Sequence, residues 1–278
     1  MKKNTTIICF FLTLSIFSQS PWTKEKGAFY TQLSFTSIAN YNSFFGNPDY
    51  SIDGQITDNT LQFYGEYGIS NKTTFLLNLP LKSISYQQNL QCLVAPCPTI
   101  QHDKTAIGNI EIGIKHNFIQ KKWLLSGQLA VETNTSTFDN SSGIRTGYNA
   151  YTFTPLLLAG KSFGKTYVQS FIGGNFRTNN YISNFKIGGE IGRKITTHIW
   201  LIGFLDVSKS LENGTIEFPN SNNITSLYVN DQEYGAFGLK GIGEFSDKFG
   251  VTTGFGSVFF GNNLPKRAAF TFGAYHKF

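Results

Sequence analysis

Charge is scarce in this chain of 278 residues. Asp, Glu, Lys and Arg together make up 14%, well below the roughly 25% of ordinary soluble domains. There are only 3 Cys and 1 Met, and no apolar run approaches the ~18 residues of a spanning helix, which excludes a helical membrane protein. Disorder is excluded by the opposite feature, because 27 Phe and 13 Tyr supply far more aromatic surface than an unfolded segment carries. The net charge of +6 is modest and spread along the chain, so it does not suggest nucleic-acid binding. An all-β chain with alternating apolar and polar residues fits all of these shortages.

The amino terminus points to export. Lys2 and Lys3 precede an apolar stretch from Ile7 to Phe17, followed by the small or polar Ser18, Gln19 and Ser20. This is the pattern of a secretory signal peptide, too short to span a bilayer. The expected division is a leader over residues 1–20 and a barrel over 21–278, with cleavage between Ser18 and Trp22. Cys9 would leave with the leader, and so would Lys2 and Lys3, lowering the formal charge to +4.

From Gly27 onward, alternating segments of ten to fifteen residues are separated by two kinds of break. Short breaks such as Ser70-Asn71-Lys72, Phe163-Gly164-Lys165 and Ser246-Asp247-Lys248 each carry a lysine. The others, among them Tyr41 to Thr57, Asn89 to Lys104, Ser136 to Gly147 and Leu211 to Asp231, are mostly long and rich in Asn, Ser, Thr and Gly. Five short turns and six opposite loops predict about twelve strands, at about 21 residues per strand and connection. The expectation is a transmembrane, antiparallel, up-and-down β-barrel with both termini on the short-turn side. Pro80 and Pro155 fall within predicted strands, where each implies a bulge or a misplaced boundary.

Charges at the predicted strand centres fall on one face. In Ile110 to Phe118, for example, Ile110, Ile112, Ile114 and Phe118 share one parity while Glu111 and Lys115 occupy the other. The same division predicts a lumen lined by Glu66, Lys82, Glu111, Lys115, Glu132, Arg177, Lys186, Glu190, Lys240 and Glu244. Five acids and five bases give a near-neutral bore without the one-signed ring of a strongly ion-selective channel. A lipid-facing exterior demands this segregation, because a charge at the bilayer midplane costs roughly 2 to 4 kcal/mol. A soluble sandwich would give the same alternation from the inverse geometry, so other features must choose. In Ile199 to Ser208, Asp206 shares parity with Trp200, Ile202 and Phe204, which predicts a bulge or an early end to that strand.

Three features favour the membrane. The chain ends on Phe270-Thr271-Phe272-Gly273-Ala274-Tyr275-His276-Lys277-Phe278, which resembles the terminal strand that barrel-insertion machinery recognises, with Phe278 as the signal. Trp123 and Trp200 lie near lysine-bearing turns, where an interfacial aromatic belt belongs. Trp22-Thr23-Lys24-Glu25-Lys26-Gly27 resembles the mature start of a group of Bacteroidota-type outer-membrane barrels. More broadly the chain is similar to outer-membrane phenol-pathway or hydrophobic-compound transporters. That resemblance implies passive uptake of small molecules across a bacterial outer membrane, with lipid and the insertion machinery as partners.

Nothing in the sequence assembles a catalytic set. His102, His116, His198 and His276 each lack the serine two residues on that resembling outer-membrane phospholipases would require. Cys92 and Cys97 are expected to form a disulfide in an exterior loop, as an oxidising envelope permits. Two cysteines and one nearby histidine do not make a tetrahedral metal set, so neither metal nor cofactor is expected. The reading is therefore a monomeric, non-enzymatic channel or transporter for small molecules. Its rivals are a non-conducting barrel whose long loops bind a partner, and a lipid-modifying enzyme.

Overall fold

In the computed structural model, residues 19–90, 97–212, 215–217 and 219–278 are described. Residues 1–18 of the leader predicted over 1–20 and the Cys92 half of the predicted disulfide lie outside them. The strands are β1 (Phe29–Phe45), β2 (Tyr50–Ser70), β3 (Thr73–Asn89), β4 (Thr99–Ile107), β5 (Glu111–Gln120), β6 (Leu124–Glu132) and β7 (Thr152–Phe163). They continue with β8 (Thr166–Arg177), β9 (Asn184–Lys194), β10 (Ile199–Ser210), β11 (Glu233–Glu244), β12 (Phe249–Asn262), β13 (Leu264–Pro265) and β14 (Ala269–Lys277). Neighbours pair antiparallel in chain order, and β14 pairs with β1 to close the sheet. Both β4 and β5 pair with β3 as successive parts of one wall strand, while β13 is only a two-residue pairing with β1. The wall is thus a closed antiparallel barrel of twelve strands, as the sequence predicts.

Period-two patterning decides which side chains face out. Leu33, Phe35, Ile112, Ile114, Leu157 and Phe272 are exposed, while their strand neighbours Ser34, Lys115 and Leu158 are buried. An exterior of this apolarity over a closed wall is suited to hydrocarbon, where every backbone group must be paired within the protein.

Both prolines sit where the wall pairing is interrupted. The pairing of β3 with its next neighbour stops at Leu81 opposite Ile107 and resumes at Asn78 opposite Glu111, so Pro80 faces the junction between β4 and β5. Pro155 pairs with Leu129 of β6, but the β7–β8 register skips from Phe153 to Leu156. Each missing N–H therefore falls at a local gap in the ladder.

Two expectations need correction. The segment Tyr41 to Thr57 is not a long loop, because β1 runs to Phe45 and β2 begins at Tyr50; likewise β4 begins at Thr99 within the predicted break Asn89 to Lys104. These strands extend with polar alternation, which reads as loop when only apolar periodicity is followed. The second correction concerns β10, which pairs without a register shift from Trp200 to Ser208. Its inward parity holds Trp200, Ile202, Phe204 and Asp206, and Trp200 is 2% exposed. Trp200 therefore fills the lumen instead of joining an interfacial belt, and Asp206 needs no bulge. Trp123, by contrast, is exposed.

Candidate functional site: the lumen and its two closures

The short-turn end of the lumen is filled by the residues that precede β1. This strap runs inside the wall from Gln19 to Lys24, and Glu25, Lys26 and Gly27 are exposed where it leaves the lumen to join β1. The Pro21 carbonyl accepts from Ser126 Oγ at 2.5 Å and Asn117 Nδ2 at 3.3 Å, and the Lys24 amide donates to Thr74 Oγ1 at 2.8 Å. Trp22 meets Tyr167 edge-on at 5.7 Å and packs against the cluster of Tyr30, Tyr64, Leu76 and Trp200. Two wall glycines make the room. A Cβ on Gly68 would lie 1.8 Å from the Glu25 carbonyl oxygen, and one on Gly160 would lie 2.6 Å from Pro21 Cγ.

The strap is latched by charge. Lys24 Nζ lies 2.8 Å from one Glu66 oxygen, and Lys115 Nζ lies 3.1 Å from the other. Tyr64 donates its hydroxyl to Glu66 at 2.9 Å, and Glu66 and Lys115 are fully buried. Burial pushes the Lys24 ammonium below the ordinary lysine value, against the pull of Glu66. The cluster carries two cations on one carboxylate, one of them brought by the strap.

The other predicted lumen residues are spread along the bore. Lys82 meets Asp58 at 2.9 Å, Lys240 meets Glu190 at 2.7 Å, and Glu244 meets Lys194 at 2.6 Å. Glu111 and Glu132 are direct partners across β5 and β6, with Lys186 within electrostatic reach of both and of Asp206. Arg177 donates to the Ile182 carbonyl at 2.8 Å and lies over the Tyr148 ring at 4.1 Å. Of the predicted ten, Glu66 with Lys115 and Glu190 with Lys240 form ion pairs with each other. Lys24, Lys194, Asp58 and Asp206 join the set without having been read from the sequence, and they leave its charge balanced. The signals of two were present but assigned elsewhere: Lys24 to the segment after the leader, and Asp206 to a bulge or strand end.

Above these pairs lies a vestibule of about 550 Å³. Tyr41, Phe204, Leu227 and Tyr228 contribute apolar surface to it, with the Asp58–Lys82 pair on its wall and Asp206 at its inner end. A cavity of about 50 Å³ follows, also lined by Phe204, Asp206 and Lys240, and bounded by Gln19 of the strap.

At the opposite end two segments interlock, 133–151 and 219–232. Arg145 Nε donates to Asn222 Oδ1, Thr225 Oγ1 donates to the Gly143 carbonyl at 2.6 Å, and Ser221 Oγ donates to Asn140 Oδ1 at 2.8 Å. Ile144, Asn222 and Thr225 are fully buried at this contact. Tyr228 stacks edge-on against Tyr148 at 5.2 Å, and burial pushes its phenol up to about 12.

The remaining predicted residues sit at the periphery. Phe278 is exposed, its amide donating to the Phe29 carbonyl at 2.8 Å. His102 stacks on Tyr86 and His116 shares a hydrogen bond with Thr73. Among the described residues there is no group of three metal-ligating side chains.

No protein-family model matches the chain, and no curated protein matches it either. Solved structures do. The COG4313 outer membrane channel from Pseudomonas putida F1 superposes with a TM-score of 0.71 at 13% identity, covering 96% of this chain and 100% of the other. The translocator domain of the autotransporter NalP from Neisseria meningitidis gives 0.53 at 10% identity over 91% and 90%. The KdgM porin gives 0.51 at 9% identity over 90% and 99%. At these identities the likeness is one of fold, and the fold is that of outer-membrane β-barrels.

Proposed function

We propose that this chain is a monomeric outer-membrane barrel that passes small molecules passively, and that the present conformation is its closed state. The observation that carries the reading is the lumen itself. A barrel braced permanently shut would be filled by its wall side chains, whereas this one keeps a vestibule of about 550 Å³, with Leu227 and Tyr228 of the outer segment on its wall and the strap's Gln19 at the small cavity beyond it. A lipid-compatible exterior places that path across a bilayer, and the fold shared with a channel and a porin supports the same reading. The solute is small, since the vestibule of about 550 Å³ falls within the ~300 to 1,000 Å³ usual for small-molecule pockets. Its largely apolar wall suits a solute with an apolar body, in keeping with the resemblance to hydrophobic-compound transporters. No bound chemistry is required of the protein, and the reading is non-enzymatic.

The tight packing of segments 133–151 and 219–232 favours a second reading, a non-conducting barrel that presents a rigid outer surface. Swelling of proteoliposomes separates them. Small uncharged solutes should enter through the refolded protein faster than through protein-free vesicles, while a large oligosaccharide should not. Vesicles equally impermeable with and without the protein would favour the surface-binding barrel.

A further inference from the structure

The basic side chains of this barrel divide by the face they occupy. Lys24, Lys82, Lys115, Lys194 and Lys240 belong to the interior, and each meets a carboxylate within 3.1 Å. Lys121, Lys122, Lys161, Lys165 and Arg193 lie on the outer surface or the rim at the short-turn end, and among the described residues none of them has an ion pair. The sequence around them offers no acid, since neither Asp nor Glu occurs in 112–131 or 140–189. We propose that this rim binds the phosphate of an anionic phospholipid from the leaflet around the short turns. The site lies outside the wall, so it does not depend on whether the lumen conducts.

Two neighbouring turns assemble the site. Lys121, Lys122 and Trp123 connect β5 to β6, and Gly164 and Lys165 connect β7 to β8. Leu124 pairs with Gly160, so the two turns stand side by side, and Thr166 pairs with Arg193, which brings β9 to the same edge. Lys161 shares its parity with Phe153, Leu157 and Phe163, all exposed on the outer face. Its Nζ lies 5.3 Å from the centre of the exposed Trp123 ring and 4.6 Å from that of Phe163. A charge on the lipid-facing parity is expensive at depth and tolerated near the interface, so Lys161 marks the level of the headgroups. Trp123 beside it fits the same level, where interfacial aromatics collect. The two rings hold the ammonium by cation–π attraction but do not neutralise it.

Charge and shape together select the occupant. The short turns of outer-membrane barrels face the periplasm, where the adjoining leaflet is built of phospholipid. The free oxygens of a phosphodiester accept charge-assisted hydrogen bonds from lysine, and a basic cluster at a membrane surface gathers anionic lipid. Farther along the wall, Leu129, Leu157 and Phe153 are exposed and give the acyl chains an apolar surface to lie on. A free phosphate ester would leave that surface unused. A choline headgroup would bring its own cation among the lysines, whereas a glycerol headgroup brings none. The site therefore prefers phosphatidylglycerol to phosphatidylcholine.

Native mass spectrometry of the refolded protein in a non-ionic detergent tests this, with dioleoyl-phosphatidylglycerol or dioleoyl-phosphatidylcholine titrated in. The first phosphatidylglycerol adduct should form at lower lipid concentration than the first phosphatidylcholine adduct. K161M, which places an apolar side chain on the lipid face and should fold by heat-modifiable migration, should weaken that adduct about fivefold, the usual contribution of one lysine near an anionic lipid surface. K161R should restore it. K248Q, which removes an exposed lysine from the β11–β12 turn, should leave it unchanged. An adduct that K161M leaves intact overturns the proposal, and so does one that K248Q weakens as much, because any lysine would then serve. Equal binding of the two lipids also overturns it. If glycerol 3-phosphate, which has no acyl chains, displaces phosphatidylglycerol at equal concentration, the site is one for a free phosphate ester and the lipid assignment fails. None of these outcomes bears on conduction, which the swelling measurement decides.

Discussion

Glu66→Gln is the perturbation to which the strap should be most sensitive. Glu66 holds Lys24 at 2.8 Å and Lys115 at 3.1 Å on its two oxygens, so two ammonium groups flank one carboxylate. Without the carboxylate they repel one another, with an energy on the order of a few kcal/mol for charges several ångströms apart at an effective dielectric constant near 20. Breaking a buried pair by removing one partner costs about 3 to 5 kcal/mol in measured cases. Lys115 is fixed on the wall, but Lys24 can leave with the strap, so the cheaper relief is release. A shift of about 3 kcal/mol is roughly a 150-fold change in the seated-to-released ratio. Lys24→Met is the matched control for the conductance measurement, because it removes the Lys24 charge together with the tryptic site and leaves the Glu66–Lys115 pair complete. Trypsin reads the result: cleavage after Lys24, 5% exposed in the seated strap, should be slow in the wild type, fast in Glu66→Gln, and accompanied in the latter by higher conductance. A Glu66→Gln barrel that folds and still protects the bond after Lys24 would refute the latch.

Two other predictions concern the wall and the pH. Ile112→Arg places a cation on the exposed apolar face, at a cost of roughly 2 to 4 kcal/mol near the midplane, and should depress refolding into bilayers measured by heat-modifiable gel migration. Lys115→Met, on the inner face, should refold, and equal yields would contradict the assignment of faces. Because burial holds Lys24 below its ordinary value, the released strap binds the Lys24 proton more tightly than the seated one. Protons therefore favour release, and raising the pH through the lowered value toward about 10.5 should slow tryptic cleavage after Lys24 relative to an exposed lysine. Relative cleavage that rises over that window would show the opposite sign of linkage.

The barrel was legible because one physical constraint acts at every strand: side chains alternate between hydrocarbon and a wet interior. Ile112 and Ile114 against Glu111 and Lys115 display it within five residues. Legibility failed where the interior is not wet. Trp200 and Ile202 face inward because the strap and Tyr167 make that end of the lumen apolar, so an inward tryptophan mimics an outward one and Asp206 reads as an error. The extension of β1 and β2 failed for a related reason, since Tyr41 to Thr57 alternates without a lipid-facing apolar parity. The strap's seat was hidden altogether. Gly68 and Gly160 look like any strand glycines, and only the crowding of Glu25 and Pro21 against them shows what they admit.

The account as a whole stands on a bore that exists but is shut from within, and single-channel recording of the refolded protein with and without residues 19–27 tests it most directly. The shortened barrel should insert and conduct in larger steps than the complete one, whose openings should be small or brief. Complete and shortened barrels that insert equally and are both electrically silent would contradict the claim that a conducting path lies beneath the strap.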